Sequence, residues 1–105
     1  TEDRDRPANR LAFAEEAAGL GDVAPLQAAV EADENDLESR YQLAVLLTAS
    51  RQYQPALDHC MAILQQDRKF RDDLGRTTMI RIFTLLGKGS ELATAYRRRM
   101  FNFMH

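Results

Sequence analysis

Tryptophan is absent from this chain, cysteine occurs once, histidine twice and proline three times. A lone thiol, Cys60, excludes an internal disulfide, and nothing else in the sequence asks for an oxidising compartment, so a cytoplasmic setting is expected. Two histidines, His59 and the last residue, His105, fall short of any known metal-ligand spacing with that cysteine, so no metal or other cofactor is expected. No apolar run approaches the roughly 18 to 20 residues needed to cross a bilayer. Nor does a basic, then apolar, then small-residue series resemble a secretion signal, and a soluble protein without membrane partners follows. Three prolines and five glycines are also too few for a low-complexity linker.

What is present is an ordinary globular composition, 45% apolar and 29% charged over 105 residues, about one domain's worth of chain. Ala, Leu, Glu, Gln and Arg fill the long segments, and these residues lose least entropy on entering a helix. Gly19-Leu20-Gly21, Asn35-Asp36, Ser50 to Gln54, Asp72-Asp73 and Gly87-Lys88-Gly89 punctuate the chain. The spacing predicts helices over 7–19, 22–33, 37–49, 53–66, 73–86 and 90–103, an all-α fold of three stacked antiparallel hairpins in a right-handed solenoid. Asp22, Asp36 and Ser90 are placed as N-caps. Residues 1–6, charged and without an apolar side chain, are expected as a disordered linker, with the helical domain over 7–105. A first residue of Thr1 suggests a piece of a longer protein.

The net charge of −2 hides an asymmetry: residues 1–38 hold eleven acids against three bases, and the remainder five acids against eleven bases. Such polarity steers an acidic partner or simply solvates two faces. The basic clusters Arg68-Lys69-x-Arg71 and Arg97-Arg98-Arg99 stand at different helix ends, where cations also complement the dipole, so no nucleic-acid partner is expected. Adjacent residues diverge by about 100° on a helix, which separates His59 from Cys60 and Glu15 from Glu16 as catalytic pairs. Cys60 also lies on an apolar stripe, as a buried spacer does. Both glycine turns follow helices, not strands, and so do not form phosphate-binding loops. The sequence therefore predicts no enzymatic activity for this chain and no catalytic residues.

Periodicity is clearest over 53–66, where Ala56, Leu57, Cys60, Ile63 and Leu64 share one sector with Asp58, Gln65 and Gln66 opposite. Over 37–49, apolar residues surround the axis almost completely, as in a helix covered on two sides. Tyr41, Leu43-Ala44, Leu47, Tyr53 and Ala56 have the spacing of a tetratricopeptide repeat running from about Leu37 to Asp67. Arg40 stands where that repeat has a tryptophan-like residue, Ile63 where it has alanine, and Arg68 where it closes on proline. These departures predict wider helix packing and a terminal unit.

Val30-Glu31-Ala32-Asp33-Glu34-Asn35-Asp36, Tyr41-Gln42-Leu43-Ala44, Ala56-Leu57, Arg76-Thr77, Leu85-Leu86-Gly87-Lys88-Gly89 and Ala95-Tyr96-Arg97-Arg98-Arg99 together resemble the carboxy-terminal region of the YbbN-type thioredoxin-like proteins, the co-chaperedoxins. The likeness covers about residues 10–105. It implies an amino-terminal thioredoxin domain outside this chain, and protein partners that include unfolded clients and the chaperonin or Hsp70 systems. No Cys-x-x-Cys occurs here, so no redox role carries over.

In the last helix, Leu92, Tyr96, Met100, Phe103 and Met104 fall in one broad sector, and the first four read as residues that seal the end of a solenoid. Phe101 falls opposite; Phe101 and Met104, beside Arg97, Arg98 and Arg99, have the composition favoured at interfaces, and with the resemblance pointing the same way they are expected as the partner-binding surface. On the first helix, Leu11, Ala14 and Ala18 make one stripe, while Phe13, Ala17 and Leu20 make a second that is expected to lie uncovered and to allow dimerisation of the fragment. Tyr41 and Val45 stand where a carboxylate-gripping groove wants polar groups, which disfavours that mode. The leading reading is a protein-binding arm of a thioredoxin-like co-chaperone. A generic tetratricopeptide scaffold and the substrate-selecting domain of a thiol–disulfide oxidoreductase are the alternatives.

Overall fold

In the computed structural model, residues 2–104 are described, with side chains from Arg10 to Met104. The described residues form six helices and no strands: α1 (Glu2–Ala18), α2 (Val23–Ala32), α3 (Leu37–Ala49), α4 (Tyr53–Gln66), α5 (Leu74–Leu86) and α6 (Glu91–Met104). This is the expected all-α helical repeat solenoid, and α2 to α6 match the predicted limits within a residue. Helix α1 instead starts at Glu2, so it takes in most of the stretch expected as linker; Thr1 lies outside the described residues.

Local chemistry fixes the helix ends. Asp36 accepts from the Ser39 backbone N–H at 3.1 Å and from its hydroxyl at 2.7 Å, and the Ser90 hydroxyl accepts from the Ala93 N–H at 3.1 Å, so both act as N-caps. Asp22 makes no side-chain cap bond. Helix α3 closes on Arg51, at φ 65°, with the Gln52 N–H on the Leu47 carbonyl at 2.8 Å and the Arg51 N–H on Thr48 at 3.0 Å, a paired C-terminal closure usually made by glycine.

Leu43, Ala44, Val45, Leu47 and Thr48 of α3 are buried, because α2, α4 and α1 cover that helix from different sides. All five residues of the predicted α4 stripe are buried, while Asp58, Gln65 and Gln66 are exposed. The departures from the repeat pattern find their compensation here. Ile63, larger than the usual alanine, is fully buried opposite Gly75 of α5; a Cβ on Gly75 would stand 3.1 Å from the Ile63 Cγ2, 3.3 Å from the Cys60 carbonyl oxygen and 3.3 Å from the Leu64 nitrogen. The missing side chain on α5 makes room for the added one on α4. Arg40, in place of a tryptophan-like residue, donates through Nε to the Glu34 carbonyl at 3.0 Å and lies 3.3 Å through Nη1 from His59 Nδ1, tying the α2–α3 turn to α4.

Helix α1 departs from expectation. It packs on α3 and α5 rather than on α2, the helix that follows it. The second stripe is therefore the covered one: Phe13 is 1% exposed, with Ala17 and Leu20 packed against the core, whereas Leu11 is 59% exposed. The uncovered Phe13 face, and with it the ground for dimerisation through it, is corrected by this packing.

Two outcomes test these contacts. Gly75→Ala gains up to about 1 kcal/mol in helix propensity, but two of the three close atoms are backbone and cannot give. Overpacking of about 1–3 kcal/mol therefore wins, and a net loss is expected in denaturant unfolding. Burial, then the neighbouring Arg40 guanidinium, hold the His59 pKa below its ordinary 6.5, against a weaker opposing pull from Asp58. The unfolded chain then takes up the proton more readily, so this contribution is complete above pH 6.5 and is lost as pH falls from there through the depressed folded value. Melting temperature should drop between pH 7.5 and 5.5, and His59→Gln should flatten that drop.

Candidate functional site

Helix α6 packs on both α4 and α5. Its inward row is Leu92, Ala93, Tyr96, Met100 and Met104, and the spacing of four from 92 to 104 is one continuous ridge of a helix. Met104, predicted as a partner contact, thus turns part-buried against the core. Phe103, predicted to seal the end, lies off that ridge and is 41% exposed. The Tyr96 hydroxyl donates to the Asp58 carboxylate of α4, and burial, then this bond, hold its pKa above 10.0.

The three arginines separate. Arg99 lies 3.8 Å from Asp58 and 4.8 Å above the Tyr96 ring, on the side of α6 that faces α4. Seven residues from Leu92 return it to within roughly 20° of the inward row, so the helical wheel alone places it there. Arg97 reaches over the Phe83 ring of α5 at 5.1 Å. Arg98 is exposed, and with Thr94, Arg97 and Phe101 it lines a shallow depression on the outer side of α6. Phe101 is 61% exposed. Of the five predicted partner-binding residues, the structure brings Arg97, Arg98 and Phe101 around one depression, holds the still exposed Arg99 beside Asp58 and Tyr96, and packs Met104 against the core.

Sequence reasoning missed a second feature, the trough between α3 and α5 with α1 lying in it. Glu16 is the polar anchor: its carboxylate accepts from the Tyr41 hydroxyl of α3 at 2.6 Å and from Arg81 Nη2 of α5 at 3.3 Å. Arg81 also stacks over the Phe13 ring at 4.1 Å. Burial, then the Glu16 bond and charge, push the Tyr41 pKa up to about 12, which keeps it a neutral donor. A stacked cation and an aromatic ring, both partly withdrawn from water, attract by about 1–2 kcal/mol. The only sequence signal was the one-turn spacing of Phe13 and Glu16, which place a ring and a carboxylate on one face.

Two ion pairs join the acidic and basic parts of the chain. Glu16 meets Arg81, and Glu38 holds Arg71 through both oxygens at 2.9 and 3.0 Å, so acids of the first 38 residues meet bases of the rest. Cys60 is fully buried and its thiol is pushed up to about 12 by desolvation, which removes the thiolate that nucleophilic chemistry requires. Val45 is buried and Tyr41 is engaged with Glu16, so neither lines an open carboxylate grip.

Among curated proteins and among solved structures, nothing matches the chain. A protein-family match, described as tetratricopeptide repeat, covers residues 16–105 and therefore begins inside α1. Repeats of this kind generally mediate protein–protein interaction. With six helices, a solenoid stack and a match over most of its length, the chain belongs to the tetratricopeptide repeat family.

Proposed function

We propose that this domain is a protein-docking module and that the outer side of α6 is its capture surface, without chemistry of its own. The observation that supports it is the cluster of Phe101, Arg98 and Arg97 around one depression, with Phe101 61% exposed. An aromatic ring beside guanidinium groups is the composition of interface anchors, since it combines large apolar area with planar donors. The inward ridge holds the helix in place, so the outer side of α6 stays exposed to solvent while the helix is anchored through Tyr96 and Asp58.

The resemblance to the co-chaperedoxins supports a finer reading. In it, the domain is the distal arm of a thioredoxin-like co-chaperone that engages unfolded clients or the chaperonin and Hsp70 systems in the cytoplasm, and a thioredoxin domain outside these 105 residues supplies any redox function. The sequence encoded ahead of Thr1 tests that assignment: a thioredoxin βαβ pattern supports it, and any other fold leaves the generic scaffold.

The capture surface has its own test in light scattering from a heat-aggregating client. The wild-type chain should suppress aggregation, and Phe101→Ser combined with Arg98→Glu should remove most of the suppression. Both positions are exposed, so unfolding stability should stay within about 0.5 kcal/mol of wild type. Undiminished suppression, or a large loss of stability, would contradict the assignment.

A further inference from the structure

A recess remains where α1 passes the turn between α3 and α4. Its volume is about 100 Å³, and its wall includes Arg10, Phe13 and Ala14 of α1, Arg51 of the turn, Tyr53 at the start of α4 and Leu85 of α5. Phe13 and Leu85 are buried, so the inner wall is apolar; Arg10, Ala14 and Arg51 are exposed and edge the mouth. Spacings of three and four set Arg10, Phe13 and Ala14 on one face of α1, which brings the Arg10 side chain to the same recess as the ring.

Arg51 is the residue that the fold does not explain. It stands at φ 65°, the left-handed conformation that glycine takes without strain and on which helices usually close with glycine. Its backbone N–H bonds the Thr48 carbonyl at 3.0 Å, a bond that glycine makes equally well. Its guanidinium is unused: among the described residues neither Arg51 nor Arg10 has an ion pair, and the side chains of Arg10, Arg51 and Tyr53 make no hydrogen bond. A cation suits the negative end of α3. The last carbonyls there are already occupied, however, Leu46 by Ser50, Leu47 by Gln52 and Thr48 by Arg51 itself, and the dipole does not account for a second cation arriving from α1. A strained residue kept without an internal partner is a pointer to function.

We propose that this recess binds a small aliphatic carboxylate, its apolar end seated on Phe13 and Leu85 and its carboxylate held between Arg10 and Arg51, with α1 remaining in place as one wall. The site is apart from α6 and does not rest on the docking reading. Size sets the ligand: a dry cavity of about 150 Å³ takes benzene, so about 100 Å³ takes roughly four carbon-sized atoms, a butyrate-sized chain. Guanidinium groups select the head, because their planar fork matches a carboxylate. The bound molecule bridges α1 and the α3–α4 turn.

The test is a titration of the full chain with sodium butyrate at constant ionic strength, read from the chemical shifts of Phe13 and Ala14. The wild-type chain should show saturable shifts with a Kd of about 1 mM, the scale of a ligand of about six heavy atoms. Butanol, without the charge, and inorganic phosphate, without the apolar body, should each bind at least about tenfold more weakly. Arg51→Gly should weaken butyrate about tenfold, the loss of one charged hydrogen-bond partner, and should melt no lower than wild type, since glycine takes this backbone conformation without strain. Arg51→Lys keeps the cation at the end of α3 but not the fork, and should weaken binding by less. Ala14→Leu fills the recess and should abolish binding in a chain that circular dichroism shows to be folded. No saturable shift with butyrate, equal binding of butanol or phosphate, or undiminished binding by Arg51→Gly or Ala14→Leu would each overturn the proposal. A lower melting temperature of Arg51→Gly would overturn the assignment of Arg51 to the ligand.

Discussion

Helix α3 has almost no solvent face, with Leu43, Ala44, Val45, Leu47 and Thr48 all buried, and the domain is organised around covering it. A surface helix needs one partner; this one needs α2, α4 and α1 together. Burial of each large apolar side chain is worth about 1.5–3 kcal/mol, so leaving any side of α3 open would forfeit a large part of a small domain's stability. Covering the side that α2 and α4 leave open is the task of α1. That requirement brings Phe13 into the core and sets Glu16 between Tyr41 and Arg81, so the same arrangement that completes the core also fills the trough.

The same geometry brings two acids of the first 38 residues against bases of the rest. Glu16 meets Arg81 across the α1–α5 contact, and Glu38 meets Arg71 across the start of α3 and the loop before α5. The second pair is half exposed and adds little. The first is partly screened from water and works with the stacked Phe13 ring, so it orients α1 as well as holding it. On the far side, Asp58 performs a similar task for α6 by receiving Tyr96 and Arg99. Two carboxylates, one on the first helix and one on the fourth, thus fix the two helices that begin and end the chain. The proposed capture surface lies on the other side of α6, where Phe101, Arg98 and Arg97 line one depression.

Much of this was legible in the sequence, for a physical reason. Helix limits depend on local breakers and caps, and α4 carries one unambiguous apolar stripe, so Cys60 and its neighbours could be placed in the core from periodicity alone. Helix α1 carries two weak stripes, Leu11-Ala14-Ala18 and Phe13-Ala17-Leu20, which periodicity cannot rank. The choice is made by Tyr41 and Arg81, residues 25 and 65 positions away from Glu16 that offer its carboxylate two donors. On α6 the sector of Leu92, Tyr96, Met100, Phe103 and Met104 is inward except for Phe103, which the ridge of spacing four leaves outside. Arg99 was grouped with its neighbours by adjacency, although its phase on the wheel already separated it from Arg98. Asp22 precedes a helix as a cap should, yet makes no side-chain bond, since a capping residue offers an oxygen but the local backbone decides whether an N–H meets it.

The central claim is that α1 docks through Phe13 into the space between α3 and α5. Nuclear Overhauser contacts of the Phe13 ring in solution test it most directly. With the Arg81 guanidinium carbon 4.1 Å from the ring centroid, the ring protons should show contacts to the Arg81 side chain, and the Arg81 methylene protons should be shifted upfield by the ring current. A Phe13 ring with random-coil shifts, together with contacts from Leu11 to α3, would contradict it.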